Sequence, residues 1–181
     1  MDKFVIRRAT GADRRVYYDC LRDREWRRLY GMHFADEELE DTVRVFAPLN
    51  SRDLLCYICE LNDRAVGFIN LLFSDPCRAV LSGGLLPRFQ ASGFGPVLYA
   101  CMLGHLMRVL PEVTFVTEVE KCNLSSAAMQ RFFGFVEEGD SANGSKTVFA
   151  LTKPQFLEKT ANDPLFCEIL SRFPCEVYDE C

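Results

Sequence analysis

The chain predicts a single mixed α/β domain: a central sheet, mostly antiparallel with a parallel part, flanked by helices. Three observations predict it. Strand-like and helix-like periods follow one another as one strand, two helices, three strands, helix, strand, helix, two strands. Two of the strand runs are joined by a hairpin-length turn, which demands antiparallel pairing, whereas strands separated by a helix can pair in parallel. The chain has 181 residues, 49% of them hydrophobic, enough to enclose one core but not two.

Taken in order, "KFVIRRA" (Lys3 to Ala9) alternates apolar and charged residues as a half-exposed strand does. "TGAD" starts a helix carrying "RRVYYDCLRDREWRRLY", with Val16, Tyr17, Cys20 and Leu21 on its inner face. A second helix is expected in "FADEELEDTVRVFAPL", where Leu39, Val43 and Phe46 recur at helical spacing and Asp36 to Glu38 suit the positive end of the helix dipole. "DLLCYICEL" and "AVGFINLLF" form a hairpin about "NDR". The third run, "RAVLSGGLLP", contains paired glycines, Gly83 and Gly84, which indicate a bulge or the close approach of another backbone. After "QASGFG" come a helix to about Leu110, the strand "EVTFVTEVE", the helix "NLSSAAMQRFFG", and strands at "FVEEG" and "KTVFALTK". The domain is expected over residues 1–153. Residues 154–181 read as an appendage, whose "PLFCEILSRF" can form a short helix packed on the domain or a homodimer contact.

A formal net charge of −5 gives no general attraction for nucleic acid, and the only basic run is Arg22 to Arg28. "MDKFVIRRAT" lacks the apolar core of a signal peptide, and no apolar run is long enough to span a bilayer, so a soluble cytoplasmic protein away from membranes is expected. The nine cysteines are odd in number and mostly within apolar patterns (Cys56, Cys101, Cys122), which favours buried reduced thiols. Cys56 and Cys59 of "CYIC" fall on opposite faces of a strand, so neither a redox pair nor a metal site is expected there.

"QASGFG" (Gln90 to Gly95) joins a strand to a helix. Backbone N–H groups that open a helix have no partner within it and can bind an anion, and glycines let a phosphate approach the backbone. A plain turn has the same composition. Two further segments bear on the choice. "PRFQASGFG" (Pro87 to Gly95) resembles the Pro-x-x-Arg/Gln-x-x-Gly-x-Gly/Ala signature of the GNAT family of N-acetyltransferases. "NLSSAAMQRFFGF" resembles that family's second signature, Asn-x-x-Ala/Ser-x-x-Leu/Met-Tyr-x-x-x-Gly-Phe, at Asn123, Ser126, Met129, Gly134 and Phe135.

The resemblance covers roughly Lys3 to Lys153 and implies a fold, a cosubstrate and a site. The fourth and fifth strands would splay apart, and acetyl-CoA would lie in the gap. Gln90, Ala91, Ser92, Gly93, Phe94 and Gly95 would surround its pyrophosphate. Leu85 and Leu86 would offer main-chain groups to its pantetheine, as to an added strand. Asn123 and Ser126 would contact the arm, although Asn123 equally suits a helix cap. "TEVEKCN" resembles the Leu-Glu-Val-Arg-x-Ser-Asn segment of the family's peptide N-terminal acetyltransferases, which makes Glu118 the candidate catalytic base. Glu120 shares its face of the strand, and Glu60 and His33 are reserves. The chain departs from the family pattern at Gln130, where a tyrosine often serves as acid toward the departing thiolate; an amide cannot give up that proton.

The implied activity is transfer of an acetyl group from acetyl-CoA to a primary amine of a small molecule or peptide by direct attack. The alternative is a module that binds acyl-CoA without turnover. The acceptor stays open: acidic "DEELED" favours a cation, and Arg-rich "RDREWRR" an anion.

Overall fold

In the computed structural model, which describes residues 3–46, 51–164, 168 and 175–178, the alternating run near the amino end forms β1 (Phe4–Arg8). Its Arg7 makes a two-pronged bond to Asp13, Nη1 to Oδ2 at 2.9 Å and Nη2 to Oδ1 at 2.8 Å, with Glu60 2.8 Å from the same Nη2. Burial alone would push Asp13 up, but the bonds from Arg7 and Thr10 outweigh it and hold the carboxyl below its ordinary value. Such a depressed group adds stability that is complete above the unfolded value, about 3.9, and is lost as pH falls through the lower folded one. Asp13→Asn is therefore expected to cost about 2 kcal/mol in urea unfolding at pH 7, with Arg7 partly screened by solvent. The gap to wild type should narrow as pH is lowered through 3; a constant gap would assign the loss to packing.

The expected first helix is two. α1 (Arg14–Leu21) buries Val16, Tyr17, Cys20 and Leu21, and α2 (Arg24–Leu29) starts afresh because the Asp23 side chain caps it, accepting the Trp26 N–H at 2.8 Å. α3 (Leu39–Phe46) follows a 3-10 turn at Asp36–Glu38; the predicted continuation over 47–49 lies outside the described residues. β2 (Leu54–Leu61) and β3 (Arg64–Asp75) form the hairpin, turning at Asn62 and Asp63 with φ of 50° and 61°, both positive as a type I′ turn requires. Then come β4 (Arg78–Leu85), α4 (Phe94–Val109), β5 (Thr114–Glu120), α5 (Leu124–Phe132), β6 (Val136–Asp140) and β7 (Lys146–Leu151).

Two further elements were not among the predicted ones. α6 (Lys153–Asn162) begins with a reciprocal cap between Thr152 and Gln155, a Thr-x-x-Gln signal readable in the sequence, and its Phe156 packs in the core. β8 (Cys175–Tyr178) pairs in parallel with β1. Apart from Pro164 and Glu168, the "PLFCEILSRF" segment lies outside the described residues.

The eight strands run β6-β7-β5-β4-β3-β2-β1-β8, antiparallel except at β4–β5 and β1–β8. One core lies between the sheet and α4, α5 and α6, and a second between the sheet and α1, α2 and α3. Cys59 belongs to the first and Cys56 to the second, as strand alternation requires. Burial pushes the Cys20 and Cys59 thiols up to about 12. Cys122 corrects the expectation of burial: it sits in the turn between β5 and α5 and is exposed. No helix among the described residues is long and apolar enough to cross a membrane.

Candidate active site at the β4–β5 gap

β4 and β5 pair only at Arg78–Thr114, Ala79–Phe115 and Val80–Val116, then part. Beyond that point, among the described residues, Leu81 to Leu85 pair with no strand on the β5 side. The direction of their main-chain groups follows from the ladder: the Leu86 N–H donates to Val66 O at 2.8 Å, so even-numbered residues serve β3 and the groups of Gly83 and Leu85 face the gap. Leu85 is thus an edge residue of the gap, while Leu86 is buried and engaged with β3.

The gap is lined from the α1–α3 face by two rings absent from the predicted site. Trp26 and Tyr30 stack at 3.8 Å between centroids and 7° between planes. Trp26 Nε1–H donates to Leu85 O at 3.2 Å, and the Tyr30 hydroxyl to Gly83 O at 2.6 Å. Of these two carbonyls, that of Leu85 was expected to meet pantetheine. The available sequence signal was the pair of aromatics four apart in "REWRRLYG", a segment read for its arginines. Gly84 explains one of the paired glycines, since a Cβ there would collide with Tyr30 Oη.

At the mouth of the gap, Pro87–Phe89 makes a 3-10 turn and Gln90 to Gly95 leads into α4. Ala91 has φ +55° and Gly93 +83°, two positive-φ positions one residue apart, as recur in backbone concavities that bind anions. For Ala91, which has a Cβ, that conformation is strained, a cost that accumulates at functional loops. Ser92 Oγ accepts the Phe94 N–H at a long 3.4 Å, and the N-cap residue Gly93 supplies no side-chain cap. A Cβ on Gly93 would meet nothing within 4 Å, and one on Gly95 only Leu85 Cδ1 at 3.6 Å. Phe94 turns its ring inward onto Phe4 and Phe89, leaving only its backbone at the loop. On β5, one residue past its last pair with β4, Thr117 Oγ1 is buried without a hydrogen-bond partner on the face it shares with Phe115 and Val119. An open cradle at a helix N-terminus, an orphaned hydroxyl and free N–H groups on β4 fit an extended ligand with amides along its arm and phosphate at its end.

Asn123 caps α5, its Oδ1 accepting the Ser126 N–H at 3.1 Å, and its Nδ2 donates to Leu29 O at 3.1 Å. It therefore ties the end of α2 to the start of α5 across the gap. Gln130 is buried and accepts the Tyr99 hydroxyl at 2.9 Å. Burial raises Tyr99 above the ordinary tyrosine value, so this phenol of α4 stays protonated.

Glu118 and Glu120 lie on the face of β5 opposite Val119, which is in the α4–α6 core; they thus face the side of α1 to α3. Glu118 is exposed and 3.6 Å from Lys146 Nζ, while a Cβ on Gly31 would collide with the Glu120 carboxylate. The reserves are elsewhere. Glu60 belongs to the Arg7–Asp13 cluster, and His33 lines an open hollow of about 520 Å³ with Arg24, Arg27 and Arg28. The conflicting acceptor cues cancel, because Asp36 of the acidic run pairs with Arg24 and Arg27, and Arg28 pairs with Glu25.

A profile of the acetyltransferase (GNAT) family matches residues 18–135. Among curated proteins none matches the sequence. Similar solved structures include a spermidine N-acetyltransferase from Vibrio cholerae in complex with CoA and spermine: 17% identity, TM-score 0.70, covering 86% of this chain and 98% of that one. The aminoglycoside acetyltransferase AAC(6')-Ib with coenzyme A has 20% identity and TM-score 0.72, covering 86% and 98%. The same enzyme with paromomycin and acetyl-CoA has 18% identity and TM-score 0.72, covering 89% and 99%. At these identities the likeness is one of fold.

Proposed function

The chain belongs to the acetyltransferase (GNAT) family, the acetyl-CoA-dependent N-acetyltransferases, and from that premise we propose that it acetylates a primary amine of a cationic small molecule or peptide by direct attack. The carrying observation is the β4–β5 gap with an open phosphate cradle at its mouth. Acetyl-CoA supplies an activated thioester. The Gly83 and Leu85 N–H groups are the donors for its carbonyl oxygen, which gains charge during attack. An alkylammonium is neutral at pH 7 only about once in a few thousand molecules, a handicap of roughly 4–5 kcal/mol, so a base is needed, and Glu118 is the candidate. Three features support a cationic acceptor: Glu118 and Glu120 on one face, the arginines of α2 neutralised by their own neighbours, and the amine ligands of the structural relatives.

The proposed reacting groups fall within residues 1–153; among the described residues beyond them, α6 packs Phe156 into the core beside α4 and α5, and β8 pairs with β1 at the sheet edge, four strands from β4. Cytoplasmic residence agrees with the buried reduced thiols, and light scattering of the whole chain tests for a homodimer.

Calorimetry with acetyl-CoA tests the reading. Micromolar binding is expected for wild type. In Gly95→Val, binding should weaken about 100-fold or more, because the new side chain enters the phosphate path. The fold should persist, since the first added carbon meets only Leu85 at ordinary distance. Equal binding by both proteins would remove the loop from the site. Gln130, which can neither give up a proton nor shed its Tyr99 bond freely, favours a second reading, acyl-CoA binding without turnover. Mass spectrometry of amines incubated with the protein and acetyl-CoA separates the two.

A further inference from the structure

We propose that Tyr30, held by Trp26, seats the acceptor amine by taking one of its N–H groups on the phenol oxygen at the Gly83–Gly84 edge of β4. The inference rests on the transferase reading and names the acceptor contact within it. A phenol has one O–H to give and two lone pairs to accept with. Here the O–H is committed to Gly83 O at 2.6 Å, so only accepting capacity remains for a ligand. That excludes a carbonyl or carboxylate as partner and admits an N–H. Burial foremost, with the nearby Cys20 thiol adding to it, holds Tyr30 above the ordinary tyrosine value, so it remains a neutral phenol.

The oxygen is also fixed in place. The ring stacks on Trp26, whose indole N–H is anchored on Leu85 O, and Gly84 leaves the space the hydroxyl occupies. The following residue, Gly31, carries the Glu120 carboxylate against its backbone, which puts an acidic side chain at the end of the same α2 segment that presents Tyr30. A neutral primary amine then has two N–H groups and one lone pair. One N–H rests on Tyr30 and the lone pair is left for the thioester; as the C–N bond forms and the C–S bond breaks, the second N–H proton passes through solvent to the departing CoA thiolate, while the base keeps the proton it took from the ammonium. A secondary amine lacks the second N–H, so the seat selects primary amines.

Tyr30→Phe is the test, with spermidine, kanamycin and a peptide bearing a free α-amine as probes. Trp26 is the chain's single tryptophan, and its emission can follow amine binding in the presence of CoA without turnover. The best-bound probe of the wild type is carried forward. In the variant, its Kd and KM are expected to rise about tenfold with kcat changed less than about threefold, the pattern of a contact made equally before and during reaction. Acetyl-CoA should bind within about twofold of wild type. Unchanged amine KM with intact acetyl-CoA binding overturns the inference alone, as does failure of all three amines to alter Trp26 emission. Weakened acetyl-CoA binding in the variant also overturns it, by assigning the hydroxyl to the cosubstrate. Absence of acetyl-CoA binding by the wild type overturns the transferase reading and this inference together.

Discussion

Glu118→Gln is expected to lower turnover about 100- to 1,000-fold while leaving acetyl-CoA affinity unchanged. The substitution keeps size and shape and removes only the ability to take a proton. Glu118 suits this test because its side chain is 42% exposed, so no core packing is disturbed, and its contact to Lys146 at 3.6 Å is weak. The pH profile gives the diagnostic. If the carboxylate removes the acceptor's proton, the variant should regain rate with rising pH towards about 10, where the amine deprotonates by itself. Stopped-flow measurement of thiol release across pH reads both effects. Turnover within threefold of wild type would dismiss Glu118, and a loss seen instead in Glu120→Gln would move the base two residues along β5 on the same face.

Trp26→Ala is expected to cost about 3–5 kcal/mol in urea unfolding followed by circular dichroism, a large share of the roughly 5–15 kcal/mol that holds such a domain. Trp26 is 1% exposed and packs among Tyr30 and Phe68. Its removal opens a cavity in the α1–α3 core, takes the donor from Leu85 O and strips Tyr30 of its stack. The loss should therefore extend to amine binding. A cost below about 1 kcal/mol would mean that α2 closes over the cavity and that the rings are not a fixed wall.

Much of the fold was legible because local patterns and tertiary demands agree. Asn62 and Asp63 suit the turn between β2 and β3, and Cys56 and Cys59 had to face opposite cores. Asn123 was legible both as a ligand contact and as a cap; the structure gives it the cap and adds a tie to Leu29 that no local pattern contains. The break at Asp23 was missed because helical spacing continues across it, although Asp23 is a good N-cap residue. β8 has no local signature, as its pairing with β1 joins segments about 170 residues apart.

The sequence by itself determined the family, the order of strands from β1 to β7, the glycine-rich loop and the face of β5 that carries Glu118 and Glu120, because each depends on neighbours within a few residues or on a fixed period. Only the tertiary structure decided that Trp26 and Tyr30 border the gap on the carbonyls of β4, that Asp36 pairs with Arg24 and Arg27, and that Glu120 rests on Gly31. Those contacts join distant segments, and no periodicity encodes which side chain crosses the space between two elements once the sheet has formed.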